Sequence, residues 1–276
     1  MEKHIVRTEN LVRPGKDPHL GAKLLELLPI IYGKRGKAVV GYFSYFRWVD
    51  DVVDESSLTS QEKLGFLERQ FDIVRGTYPD SRYPMEDVLI NISTQRLPYT
   101  ADLQTKTNEV LTSFVDDVQH SSFLPRREQE LRLYNSRSLL MCLEAVGILI
   151  NGKPIKTTTQ FAELANSWNN VGTLLHLKED LSQGLIRVFL SDEECGAIEA
   201  FSDPQDRKGK FISIVNKDRF IKDRNRCAST ITENIPSIFD LDIPAWQKII
   251  AAVYMYKVAF KTRVLMKYPD VEFGVK

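Results

Sequence analysis

The residues best equipped for chemistry lie together in "YFRWVDDVVDE", residues 45 to 55, where Arg47 is followed by Asp50, Asp51, Asp54 and Glu55. Asp50 and Asp54 are one helical turn apart, so on a helix their carboxylates share a face and can reach one hard cation together. Mg²⁺ fits such a pair. It accepts one or two carboxylates, keeps several waters and completes its octahedron with substrate phosphates; Mn²⁺ is the alternative. A diphosphate is then the expected third party, and Arg47, a turn before Asp50, can meet that anion through charge-assisted hydrogen bonds.

The element that must carry this cluster opposes it. From Lys34 to Glu55 there is no proline and only two glycines, Gly36 and Gly41, which predicts a helix that "SSLTS" then stops. Asp50 to Glu55 fall at its C-terminal end, where the macrodipole makes an acidic group cost about 0.3–1 kcal/mol. The like-charge pairs Asp50/Asp54 and Asp51/Glu55 each add roughly 0.2–0.5 kcal/mol. The same helix is apolar on nearly every side, with Tyr42, Phe43, Tyr45, Phe46 and Trp48. A solvated acidic helix end is the plain reading. A divalent cation would reverse the sign of these local terms, and it explains why the carboxylates adjoin aromatic surface.

Around this stretch the chain has 276 residues, 43% of them hydrophobic, enough for a substantial core. Lys+Arg and Asp+Glu are both 37, so no net field favours nucleic acid or a membrane. Cys142, Cys195 and Cys227 are far apart and odd in number, which suggests neither a disulfide framework nor a zinc cluster and fits the reduced cytosol. The first 17 residues lack an apolar core of the secretory kind. The most apolar run, residues 139 to 150, is interrupted by Glu144 and shorter than the roughly 20 residues a bilayer span needs. The expectation is a cytoplasmic protein with no transmembrane segment, able to touch a membrane peripherally.

Prolines are separated by long intervals in which apolar residues recur at helical spacing, as in Leu64, Leu67, Phe71 and Val74, or Ile249, Val253, Tyr256 and Phe260. Thr59-x-x-Glu62, Thr157-x-x-Gln160 and Ser191-x-x-Glu194 read as capping boxes. The prediction is an all-α, single-domain bundle of roughly eight to ten helices over residues 1–276, with 1–18 a loosely ordered arm. The polar stretch "SDPQDRKGK", 202 to 210, is expected to be a loop within it.

The segment "LLPIIYGKRGKAVVGYFSYFRWVDDVVDE", 27 to 55, resembles the first aspartate-rich region of the squalene/phytoene synthase family. It has an LLP element, a basic segment, an aromatic helix and then Arg-x-x-Asp-Asp-x-x-Asp-Glu. The resemblance implies an isoprenoid-synthase fold around a central apolar cavity. It also implies Mg²⁺ on Asp50 and Asp54, diphosphate contact by Arg47, and a pocket role for the neighbouring Asp51. Leu20 and Gly21 stand where the family has Ser-Phe. Residues 113 to 150 are similar to a later family segment and make Tyr134 a pocket tyrosine, with Asp116 and Asp117 read as a helix end. Near the C-terminus, "AAVYMYKVAFKTRVLMKY" resembles the closing helix; Tyr254 or Tyr256 would face the site, with Tyr254 the candidate, and Lys257, Lys261 and Arg263 would be solvated.

The family's second aspartate motif is matched less well by "NNVGTLLHLKEDLSQGLIRVFLS", 169 to 191. Aligned on Asp180, it has Thr173 for Gln, His176 for Asn, Glu179 for Arg and Gly184 for the second Asp. Its tail, Arg187 to Ser191, is recognisable, so Asp180 is carried over as a metal ligand and Arg187 as a diphosphate contact. Asn169, Thr173, His176 and Asp180 are spaced to form a polar stripe on one helix face, lining a cavity or facing solvent.

The function implied is that of a prenyltransferase, in which carboxylate-held metal and basic groups let an allylic diphosphate ionise. Phe43, Phe46 and Tyr134 then shelter the carbocation until an alkene attacks. The alternatives are a terpene cyclase acting on one prenyl diphosphate, and a non-catalytic protein of the same fold serving in assembly or lipid binding.

Overall fold

The computed structural model describes residues 27–54, 57–77, 81–94 and 100–267. Glu55, the Leu20–Gly21 departure and the proposed N-terminal arm lie outside them. Among the described residues there is no strand, and the chain is all-α as expected. After a short helical stretch at 27–32 come twelve α-helices: α1 Lys34–Val53, α2 Ser60–Arg75, α3 Glu86–Thr94, α4 Thr100–Gln119, α5 Glu128–Asn135, α6 Met141–Asn151, α7 Thr159–Leu175, α8 Leu177–Ser182, α9 Asp192–Glu199, α10 Pro204–Ile214, α11 Lys217–Asn234 and α12 Ala245–Leu265. A π turn, Ser136–Leu140, joins α5 to α6, and a 3₁₀ turn, Ile235–Asp240, follows α11.

The chain divides into two compact units, discontinuous in sequence. One runs up to Val118 and takes in Met141–Pro154; the other comprises Gln119–Leu140 and everything from Ile155 onward. The stretch 202 to 210 lies inside the second unit, and from Pro204 it is helix rather than the expected loop. Asp203 caps α10 by accepting from the N–H groups of Gln205 and Asp206, and Pro204 occupies the first helical position, where its missing N–H costs nothing.

In the first unit, α1 buries Val39, Tyr42, Phe46, Val49 and Val53, which recur at intervals of three and four and turn one face inward, and Tyr45 beside them. Gly36 lets α1 approach the preceding helical stretch, because a Cβ there would fall 1.9 Å from the Leu28 carbonyl oxygen. Arg35 ties the start of α1 to the end of α6 by donating to the Ile150 carbonyl at 3.0 Å. Buried polar bonds fix the middle of α1. The Tyr45 hydroxyl donates to Gln70 Oε1 at 3.1 Å, and Gln70 Nε2 donates to Glu86 Oε1 at 3.0 Å. Glu86 is fully buried but accepts twice from Arg69 and twice more from the backbone N–H groups of Arg82 and Tyr83, so its charge is compensated on every side. Trp48 packs edge-on against Phe66 with ring centres 5.2 Å apart. Glu144, the acid within the apolar run, is buried against the Lys106 ammonium.

In the second unit α7 packs on α11 and α11 on α12, around Leu164, Val171, Leu174, Phe220, Ile231 and Ile238. Two of the three capping boxes form as predicted, at Thr59 and Ser191. At the third, the cap is Thr158 rather than Thr157, and its hydroxyl accepts from the Phe161 N–H. The helical run 128–151 that contains α5, the π turn and α6 is 24 residues long, and by length and composition it could cross a bilayer. Half of its apolar window is buried within the protein, the state of a core helix.

Candidate functional site

The first acidic cluster lies where the sequence placed it. α1 ends at Val53, Asp54 is the C-cap, and its N–H bonds to the Asp50 carbonyl at 2.8 Å. The last turn contains no basic residue. Arg47, a turn earlier, closes on two of the carboxylates: Nη1 donates to Asp50 Oδ2 at 2.7 Å and Nη2 lies 2.8 Å from Asp51 Oδ1. The guanidinium that was expected to wait for a diphosphate is thus already paired with acids on its own helix. Asp54 is half-buried, and its carboxylate takes no side-chain partner among the described residues. Three aspartates and Arg47 thus gather at the negative end of the helix dipole.

Among the described residues no group of three or more His, Cys, Asp or Glu side chains is arranged to hold a metal ion. A two-carboxylate Mg²⁺ site needs no such group, because waters and substrate oxygens complete the shell. The donors here are all carboxylate oxygens, so the set has the chemistry of a site for a hard divalent ion. Phe43, two turns before Asp50 on α1, is half-buried and packs against the core of the first unit. Phe46 belongs to the core, edge-on to Tyr42 at 4.8 Å and stacked on Phe114 at 6.2 Å, so its ring holds α1 in place.

The stripe expected from Asn169 to Asp180 does not form as one helix face. α7 stops at Leu175; His176 leaves helical geometry at φ −99°, ψ 12°, and α8 starts afresh at Leu177. Each polar residue is then spent locally. Asn169 donates to Asn135 Oδ1 at 2.6 Å and to the Ser138 hydroxyl at 3.2 Å. The buried Thr173 donates to the Asn170 carbonyl. His176 is exposed, its Nδ1 2.6 Å from the Glu179 carboxylate. Only Asp180 is buried as a charged group, accepting from Arg187 Nη1 at 3.1 Å.

Arg187 also lies over the Tyr134 ring at 5.6 Å, and Arg126 lies over the same ring at 4.6 Å. Tyr134 therefore meets guanidinium groups, which are attracted to its negative π face, rather than an open apolar pocket. Arg126 is almost completely buried and was missed by sequence reasoning. Nothing in "LPRRE" tells it from Arg127, which is half-exposed and pairs with Glu199 at 3.1 Å.

Gly184, aligned with the family's second Asp, is a position where a side chain has no room. Its φ is +78°, α8 has already ended at Ser182, and a Cβ would lie 3.1 Å from the Ser122 backbone nitrogen. Its carbonyl accepts from the Phe123 N–H at 2.6 Å. The i,i+4 carboxylate pair of the first motif has no counterpart here, because the backbone between Asp180 and Gly184 is not helical throughout. At the C-terminus, Tyr254 turns inward against Trp168, with ring centres 5.6 Å apart, and burial raises its pKa. Tyr256 is exposed, as are Lys257, Lys261 and Arg263.

A cavity of about 260 Å³ opens in the second unit, lined in part by Arg132, Glu163, Asn170, Phe189, Arg219 and Arg226. None of the candidate metal, diphosphate or pocket residues lines it. Its walls are about half polar and half apolar, unlike the apolar cavity the resemblance implies, and its arginines meet carboxylates within the protein. Arg132 pairs with Glu163 at 2.9 Å, Arg219 with Glu194 at 2.7 Å and Arg226 with Asp223 at 3.3 Å. Set against known proteins, the chain matches no protein-family profile, no curated protein and no solved structure.

Proposed function

We propose that this protein is a Mg²⁺-dependent enzyme that ionises an allylic prenyl diphosphate and couples the resulting carbocation to an alkene, as squalene/phytoene synthases do. One observation carries the reading: Asp50 and Asp54 sit one turn apart at the C-terminal end of an aromatic helix, with the Arg47 guanidinium held against Asp50 and Asp51. Asp50 and Asp54 would hold the ion. Once bound, the ion would neutralise charge developing on the diphosphate leaving group. It would also compete with Arg47 for Asp50, freeing the guanidinium for the diphosphate oxygens, to which its planar fork is suited. Phe43, half-buried two turns earlier on the same helix, would offer apolar surface to a prenyl chain. Phe46 and Trp48 anchor the helix by their ring contacts with Phe114 and Phe66.

A second reading is favoured by the Arg47 contacts themselves. They give Asp50 and Asp51 a partner without any metal, which a non-catalytic protein of this fold would need in order to keep the cluster.

The test is incubation with geranyl, farnesyl and geranylgeranyl diphosphates and Mg²⁺, followed by measurement of released diphosphate and product mass. Condensation yields products of summed carbon number; cyclisation leaves carbon number unchanged. Asp50→Asn and Asp54→Asn should each lower diphosphate release by about a hundredfold or more. Failure to consume any of the three substrates, with Asp50→Asn leaving Mg²⁺-dependent diphosphate binding unaltered, would defeat the enzyme reading and leave the second.

A further inference from the structure

The spacing of Ile249, Val253, Tyr256 and Phe260 marks a helical face that would ordinarily be buried, yet these side chains are exposed by 56%, 63%, 56% and 64%. The face that α12 does bury carries Ala252, Met255, Ala259 and Thr262. Trp246, Ile250 and Val264 extend the exposed face along the helix. With about 100° of rotation per residue, these seven side chains fall within an arc of roughly 120°. Scattered single apolar residues are normal on a protein surface; seven large ones contiguous on one helix mark an interaction site.

Charge identifies the occupant. From Ile243 to Pro269 the chain has no Asp or Glu, while Lys248, Lys257, Lys261, Arg263 and Lys267 are all basic, in a chain whose net charge is zero. Asp240 and Asp242 precede the helix, so its own length carries basic charge alone. On the same wheel Arg263 lies about 20° beyond one edge of the apolar arc and Lys261 about 20° beyond the other, with Lys257 just inside that second edge. Lys257 and Lys261 pair with no carboxylate among the described residues. An apolar strip edged by basic side chains, with a tryptophan near one end, is the arrangement of a helix that lies in the headgroup layer of a bilayer with its apolar side toward the acyl chains. A second copy of the chain is a poorer occupant, since two such faces brought together would oppose their basic edges.

We propose that the exposed face of α12 docks this protein on anionic lipid surfaces. Neither reading of the acidic cluster is needed for this. The test is co-sedimentation of the full chain with vesicles of phosphatidylcholine alone and of phosphatidylcholine with phosphatidylserine. Binding is expected to the mixed vesicles, weakening in molar salt. Lys257→Glu with Lys261→Glu should reduce it by about tenfold or more, because each basic side chain near an anionic surface contributes about fivefold. Val253→Glu with Phe260→Glu should abolish it, and since all four residues are exposed, circular dichroism and melting temperature should stay at wild-type values. The proposal is overturned if wild type binds neither vesicle, if the Val253/Phe260 variant still binds, or if the lysine variant binds both vesicles as wild type does. A concentration-dependent dimer that the Val253/Phe260 variant dissolves, with no vesicle binding, would assign the face to self-association instead.

Discussion

Restoring the missing aspartate at Gly184 is expected to damage the protein rather than improve it. A non-glycine residue forced to φ +78° carries a conformational penalty of about 1–2 kcal/mol. The new Cβ would press on the Ser122 backbone nitrogen at 3.1 Å. Backbone can give way there only by disturbing the bond from the Phe123 N–H to the Gly184 carbonyl, at 2.6 Å, which is worth about 0.5–1.5 kcal/mol. Reduced freedom of the unfolded chain offsets about 0.4–1 kcal/mol of this. The net loss for Gly184→Asp or Gly184→Ala is about 2 kcal/mol. Asparagine enters the left-handed region more readily, so Gly184→Asn should lose less than Gly184→Ala. Urea unfolding followed by circular dichroism reads all three variants, with the slopes compared so that a change in midpoint can be assigned to stability. If the two units unfold separately, the loss belongs to the transition of the second. Three variants within about 0.5 kcal/mol of wild type, or an asparagine variant no better than alanine, would refute the argument.

Glu86 governs a second measurement. Burial raises its pKa, but hydrogen bonds from Arg69, Gln70 and the N–H groups of Arg82 and Tyr83 outweigh burial and hold it below the usual glutamate value. Its contribution to stability is therefore complete above the unfolded pKa of about 4.3 and is lost as pH falls through the lower folded value. The acid-side fall in melting temperature should flatten in Glu86→Gln, while Glu86→Ala, which removes the buried carboxylate that Arg69 pairs with, should cost about 3–5 kcal/mol; an unchanged acid profile in Glu86→Gln would rule Glu86 out as its source. Burial pushes the Cys142 thiol up to about 12 and those of Cys195 and Cys227 up to about 11. At neutral pH a disulfide reagent should then modify all three at least about a hundredfold more slowly in the native protein than in urea, and rapid labelling of any one would contradict its placement.

Local physics made much of this legible beforehand. Helix ends were readable at Thr59 and Ser191, where a hydroxyl and a glutamate three residues later answer each other, and so was the end of α1 beneath its carboxylates. The polar stretch from 202 was misjudged because composition outweighed its own cap: Asp203 followed by Pro204 is a helix start. Asp50 and Asp54 could be placed one turn apart because both belong to one uninterrupted helix, whose geometry depends on nothing distant.

What the sequence determined by itself was the helical class, several boundaries and the composition of the acidic cluster, because these follow from interactions within a few residues. Tertiary structure alone decided which groups meet. Arg126 and Arg127 are indistinguishable in sequence, yet one is buried against Tyr134 and the other is half in solvent. Gly184 reads as a lost aspartate until the backbone at Ser122, 62 positions away by numbering, is found against it. On α12, Ile249, Val253, Tyr256 and Phe260 satisfy the helical period as well as Ala252, Met255 and Ala259 do, so spacing could not choose the buried face. Packing on α11 and the 3₁₀ turn chose the small side chains, and that choice left the large ones outside.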